Sequence, residues 1–167
     1  MVAQQKVTSL LRDRDATTTR VLAALPKMTW AHFACHATAD LETPSRGGLR
    51  LHDDLLSVSA ISRLRLADAE LAYLSACSTA QGGVLNVNES IHLASAFQLA
   101  GFRHVVASLW PLEDNAAGFA AQSFYDNMPS TSDADDAAVA LHQVGRGLRS
   151  RHPDRPDLWA PLIHYGL

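Results

Sequence analysis

Short apolar runs alternate with stretches of helical period along the whole chain. Trp30-Ala-His-Phe-Ala-Cys35, Leu71-Ala-Tyr-Leu74 and Val105-Val-Ala-Ser-Leu109 each have the length and composition of a buried strand. The first ends at His36, the second at Ser75-Ala-Cys77 and the third at Trp110-Pro111. Between the second and third strands, Leu93, Ala96, Phe97 and Ala100 stand at i, i+3, i+4 and i+7. That spacing predicts a helix over 88–100, with Gly101 as its stop. An earlier helix is expected from Asp15, a good N-cap, to Leu25, ended by Pro26. Asn115 can cap a helix carrying Phe119, Phe124 and Tyr125, and another helix is expected from about Ala134. Ser132 and Asp135 have capping-box-like spacing at its start, and Asp133, Asp135 and Asp136 read as solvated first-turn residues favoured by the helix dipole. Residues 37–57, polar and containing Gly47 and Gly48, read as a loop or hairpin around Leu49-Arg-Leu51. The rhythm of strand and helix predicts an α/β fold, a mainly parallel central sheet with helices on both faces.

Composition narrows the class. With 167 residues, 47% hydrophobic and 19% charged, the chain fits a single domain large enough to bury a core. No repeat, low-complexity tract or linker divides residues 1–167. Fourteen Lys and Arg against 17 Asp and Glu give a formal charge of −3, which supplies no basic stripe for nucleic acid. Nor does any apolar run approach the ~18 residues of a membrane span, and Arg12, Asp13, Arg14 and Asp15 interrupt any leader-like start. The two cysteines, Cys35 and Cys77, both lie in apolar runs and fit reduced thiols of a cytoplasmic protein.

In an open α/β sheet, reactive groups gather outside the carboxyl ends of the strands. His36 and Cys77 end two strands and lie 41 positions apart, with a connection long enough to make those strands neighbours. A thiol with a reference pKa near ~8.5 needs a base to become a nucleophile at neutral pH, and an imidazole near ~6.5 is its usual partner. Cysteine is also a common core residue, so spacing alone leaves both the dyad and a packing role open. Cys35 is a rival nucleophile, but alternation along a strand sends it to the face opposite His36 and into a core. His32, His52, His92, His104, His142, His152 and His164 show no metal-ligand spacing with the cysteines, so no metal site is expected.

Read as words, His32-Phe-Ala-Cys-His36, Leu49-Arg-Leu51 with Asp53, and Glu70-Leu-Ala-Tyr-Leu-Ser-Ala-Cys-Ser-Thr79 resemble the CHAT domains, caspase-like modules related to caspases and separase. Glu89-Ser-Ile-His-Leu-Ala-Ser-Ala-Phe97, Val105-Val-Ala-Ser-Leu-Trp-Pro-Leu-Glu-Asp114, Phe124-Tyr125 and Trp159-Ala160…Gly166 continue the likeness in the family's order, over roughly residues 7–167. The resemblance implies a three-layer α/β/α sandwich and a cysteine endopeptidase acting through His36 and Cys77 without metal or organic cofactor. It also implies an oxyanion site at the backbone N–H groups of Cys77 and Ala37. The family usually has glycine where Ala37 stands, which raises the question of a positive φ there.

The resemblance further places Ser75 on the floor of the substrate pocket and Trp110 at its border. Asp114 resembles the acidic residue that receives a basic P1 side chain, which implies Arg or Lys at P1. Helix capping is an equal alternative for Asp114, as is a core role for Trp110. Gly82 and Gly83 are candidates for a loop that rearranges on activation, with an ordinary turn as the alternative. Glu89 follows the family pattern without an evident role beyond charge at a helix start.

Members of the family normally carry a further strand and helix before the block matching Val7–Leu25, for which this sequence has no room, so the resemblance implies a single domain over 1–167 that is N-terminally incomplete. The expectation is therefore that an N-terminal segment, a neighbouring domain or a dimer partner completes the sheet edge. The family's usual association with tetratricopeptide-type regions implies such a region as sensor. A different class of function, a caspase-like interaction module without turnover, stands as the alternative and is raised by Ala37 and the short start.

Overall fold

In the computed structural model, residues 9–38, 43–78, 85–128 and 134–166 are described. Ser132, Asp133, Gly82 and Gly83, and the side chains of Cys77 and Glu89, lie outside this description.

The described residues build one sheet of six strands, β1 (Trp30–Thr38), β2 (Gly48–Arg50), β3 (Leu55–Ser57), β4 (Leu71–Ser78), β5 (His104–Ser108) and β6 (Leu162–Tyr165). Their order across the sheet is β3-β2-β1-β4-β5-β6. At the centre, β1, β4 and β5 pair in parallel; β2 is antiparallel to β1 and β3, and β6 to β5. Four of the six strands therefore run in one direction, and the mainly parallel sheet stands. The segment read as a loop or hairpin is the β2–β3 hairpin. β1 and β4 run slightly past the strand ends read from the sequence, so that His36 and Cys77 lie inside the ladder.

Alternation along the strands divides the core in two. Phe33 and Ala37 of β1, Ala72 and Leu74 of β4, and Val105 and Ala107 of β5 face one cluster, which includes Val21, Ile61, Phe97 and Phe102. It is covered by α1 (Thr18–Ala24), α2 (Val58–Ser62) and α3 (Leu85–Ala100). Leu71, Tyr73 and Val106 face the other cluster, beneath α4 (Asp114–Asn127) and α5 (Ala137–Arg151). The short α6 (Pro156–Trp159) packs on α5 and leads into β6. Burial on both faces accounts for the near-continuous apolar runs of β4 and β5.

The helical face read from Leu93, Ala96, Phe97 and Ala100 is buried throughout. Its terminus closes as expected. Gly101 N–H donates to the Gln98 carbonyl at 3.0 Å and Phe102 N–H to the Phe97 carbonyl at 3.1 Å, while Gly101 adopts φ +127°. These are the paired bonds of a glycine-terminated helix.

Three helix starts differ from expectation. Thr17, not Asp15, caps α1: its side chain accepts from Arg20 N–H, while Asp15 belongs to a preceding 3-10 turn and pairs with Arg20 through its carboxylate. Thr18 N–H and hydroxyl are taken by Asp53, 35 residues away, an anchor that local propensity does not reveal. In α4, Glu113 holds the N-cap position and Asp114 is the first helical residue, so Asn115 lies inside the helix. Before α5, Ala134–Asp136 form a 3-10 turn, and Asp136 is the N-cap without a side-chain bond. Asp135 is more than a solvated first-turn residue, because it accepts from Arg103 and binds His104 across the fold.

Candidate active site

The β1–β4 ladder sets the site. Parallel pairing runs from Trp30↔Leu71 to Ala37↔Ser78 without a slip and places His36 directly beside Cys77. Both positions lie near the carboxyl ends of their strands, the end of an open α/β sheet at which reactive groups gather. The β4–β5 ladder covers Leu71–Tyr73 and His104–Val106 and ends at Tyr73↔Val106, well short of the end of β4. His36 is exposed, as are His32 and Ala34 on the same face of β1. An imidazole at that position is open to solvent and beside the backbone of Cys77.

Ser75 is half-buried two positions before Cys77, and its hydroxyl lies 3.1 Å from His32 Nε2. Sequence reading did not single out this contact. The signal was nevertheless present as parity, since His32 precedes His36 by four and Ser75 precedes Cys77 by two. Parallel register then brings the two onto one face. The His32 ring packs against Tyr73 and Tyr125, with centroids 4.9 and 5.7 Å away. Desolvation by these rings holds its pKa below the ordinary imidazole value, although part of the ring reaches solvent.

Cys35 packs against the core on the face opposite His36, half-buried, and loss of hydration pushes its thiol up to about 11. Such a thiol is a poor nucleophile near neutral pH. Ala37 is 2% exposed and lies between Leu49 of β2 and Ser78 of β4. Among the described non-glycine residues only Asp13 has positive φ, so Ala37 holds ordinary strand backbone.

Beyond β5, the Ser108 hydroxyl donates to the Trp110 carbonyl at 2.6 Å and Trp110 Nε1–H to the Asp157 carbonyl at 3.0 Å. Arg155 holds that same region. Its Nη2 lies 2.7 Å from Asp157 Oδ2 and 3.4 Å from Glu113 Oε1. This guanidinium keeps the Asp157 carboxyl below its usual range and joins the segment after β5 to the start of α6. Its role was not evident in the sequence, because the partners lie 42 positions apart. Asp114, exposed at the first turn of α4, lies four residues beyond Trp110.

The structure thus brings His36 and the Cys77 backbone into register, sets Ser75 on the adjacent position of the same strand face, and places Trp110 and Asp114 after the neighbouring parallel strand. Among the described residues, no three His, Cys, Asp or Glu side chains gather so as to hold a metal ion, and no helix is long and apolar enough to cross a membrane. Comparison with proteins of curated function finds no match. The CHAT domain family model, by contrast, matches residues 1–167, the whole chain, and the protein belongs to this caspase-like family, which is related to cysteine peptidases.

Proposed function

We propose that this chain is a cysteine endopeptidase that uses Cys77 as nucleophile and His36 as general acid and base. The observation that carries the reading is the register of His36 with Cys77 on adjacent parallel strands. His36 takes the thiol proton, and the thiolate adds to a peptide carbonyl. The tetrahedral adduct collapses with cleavage of the C–N bond, His36 protonating the leaving amine and leaving a thioester on Cys77. Water, deprotonated by His36, then attacks the thioester and releases the acid and the thiol. The family resemblance assigns the oxyanion to the backbone N–H groups of Cys77 and Ala37. Ser75 and Trp110 border the P1 side chain, and Asp114 selects Arg or Lys. The enzyme acts in the cytoplasm as the effector of a regulated signalling or defence system. A tetratricopeptide-like sensor region, or a partner pairing with a sheet edge, controls it.

One observation favours a second reading, a caspase-like interaction module without turnover. Ala37 lies inside an interior strand, where backbone N–H groups point in the sheet plane towards β2 or β4. That orientation does not suit an oxyanion donor.

Iodoacetamide labelling combined with a peptide library separates the two. The peptidase reading expects Cys77 to alkylate at pH 7 at least about tenfold faster in the wild type than in His36→Ala, since a thiol of ordinary pKa already outpaces Cys35. It also expects peptide cleavage that Cys77→Ala abolishes and that Asp114→Ala weakens selectively after Arg and Lys. Labelling of Cys77 that His36→Ala leaves unchanged, together with no cleavage, favours the interaction module.

A further inference from the structure

A second cluster of histidines lies away from the candidate site, at the opposite end of the parallel strands. His104 is the first residue of β5 and only 1% exposed. Its Nε2 is 3.1 Å from Asp135 Oδ1, and its Nδ1 is 3.1 Å from Nε2 of His164 on the edge strand β6. The two rings lie nearly parallel, with centroids 5.3 Å apart. Gly166 closes the cluster. A Cβ there would come within 2.7 Å of His104 Nδ1 and 2.8 Å of His164 Cε1, so only glycine lets the chain pass against both rings.

Proton counting follows from these contacts. A carboxylate can only accept, so against Asp135 the His104 Nε2 carries a hydrogen. With His104 neutral, Nδ1 has a lone pair and accepts from His164 Nε2–H. With one added proton, His104 Nδ1–H donates to a lone pair on His164 Nε2. A second added proton puts hydrogens on both facing nitrogens. The bond is then lost and two cations oppose each other at 3.1 Å.

The surroundings offer the second proton little relief. Arg103 shares the Asp135 carboxylate with His104, its Nη2 at 3.0 Å. Glu70, the last residue before β4, meets His104 through its backbone, its carbonyl accepting from His104 N–H at 2.7 Å. The buried positions of α5, which packs on β6, are Ala137, Ala140, Leu141, Val144 and Leu148. Those described on α3, which packs on β5, are Leu93, Ala94, Ala96, Phe97 and Ala100.

We propose that His104 and His164 form a one-proton latch that fastens β6 to β5 and releases when a second proton arrives, making this edge strand pH-responsive. Burial and the neighbouring His104 both hold the His164 pKa below its ordinary value, in the same direction. The sign follows. The released state binds the second proton more readily, so the latch is fully stable above the unperturbed imidazole value of ~6.5 and loses stability as pH falls below it.

Hydrogen–deuterium exchange of the whole protein between pH 7.5 and 5.0, corrected for intrinsic rates, tests the latch. Protection of β6 amides is expected to be flat above pH ~6.5 and to fall by up to about tenfold per pH unit below it, while β1 amides hold. In His164→Gln, whose amide can meet His104 Nδ1 but takes no proton, β6 protection is expected to stay flat. A flat wild type, or an unchanged slope in His164→Gln, overturns the proposal. Imidazole titration by NMR needs no variant. Two steps separated by more than a pH unit support the latch, and two independent titrations near ~6.5 overturn it.

Discussion

With its thiol raised to about 11, Cys35 carries thiolate in only about one molecule in ten thousand at pH 7. Alkylation there is accordingly expected to be slow in the native protein, to rise about tenfold per pH unit while the fold persists, and to become fast on unfolding. Peptide mapping after labelling in buffer and in guanidinium reads this directly, and Cys35→Ser should leave labelling at Cys77 unchanged. Sequence parity was enough to place this thiol on the face opposite His36, because side chains alternate on any strand. The His32–Ser75 contact was only half legible: parity puts each residue on the face of its neighbour His36 or Cys77, but the two are 43 positions apart and meet only once β1 and β4 are in register. The cluster of His104, His164 and Asp135 is of the same kind, with separations of 60 and 31 residues. Which residues meet across distant segments leaves no periodic trace in a sequence.

Elements with a long apolar stripe or a strong stop signal were the most legible. The end of α3 is an example, since Gly101 both ends the helical face and takes φ +127°. A Cβ at Gly101 would also lie 2.2 Å from the Leu66 carbonyl oxygen. Gly101→Ala is therefore expected to lower stability by about 2 kcal/mol or more, measured by denaturant unfolding, from backbone strain and displacement of the 61–66 segment together. Helix starts were less legible. Asp15 has the chemistry of a cap, yet Thr17 performs that role, because Asp53 reaches back to Thr18 from the turn after β2 and fixes where α1 begins. The folded arrangement also lowers the Asp53 pKa, chiefly through the Thr18 N–H, so this anchor is present above the ordinary carboxylate range and is lost on acidification. The three-residue strands β2 and β3 carry too little alternation to be told from a loop, and pairing with β1 makes them strands.

At the scale of the whole molecule, the sheet separates two cores that share no buried aromatic. Phe97 packs with Phe33 and Phe102 on one side, and Phe124 with Tyr73 and Tyr125 on the other. Both are 0% exposed. Phe97→Leu and Phe124→Leu are each expected to cost about 1 kcal/mol, and the double variant the sum to within about 0.5 kcal/mol, as chemical denaturation would show. A large positive coupling would mean that the sheet transmits packing strain between the layers. The order of β1, β4 and β5 and of the helices α1, α3, α4 and α5, the two-sided burial of β4 and β5, and the presence of His and Cys near strand ends were determined by the sequence itself, whereas α2, α6 and β6 gave no such signal. Periodicity and local residue chemistry are sufficient for those features. Tertiary structure alone decided that His36 stands level with Cys77, that Ala37 lies inside a strand with ordinary backbone, and that β6 is tied to β5 through two imidazoles. Each of these depends on strand register, and register is chosen by how two cores pack against one sheet rather than by any segment taken alone.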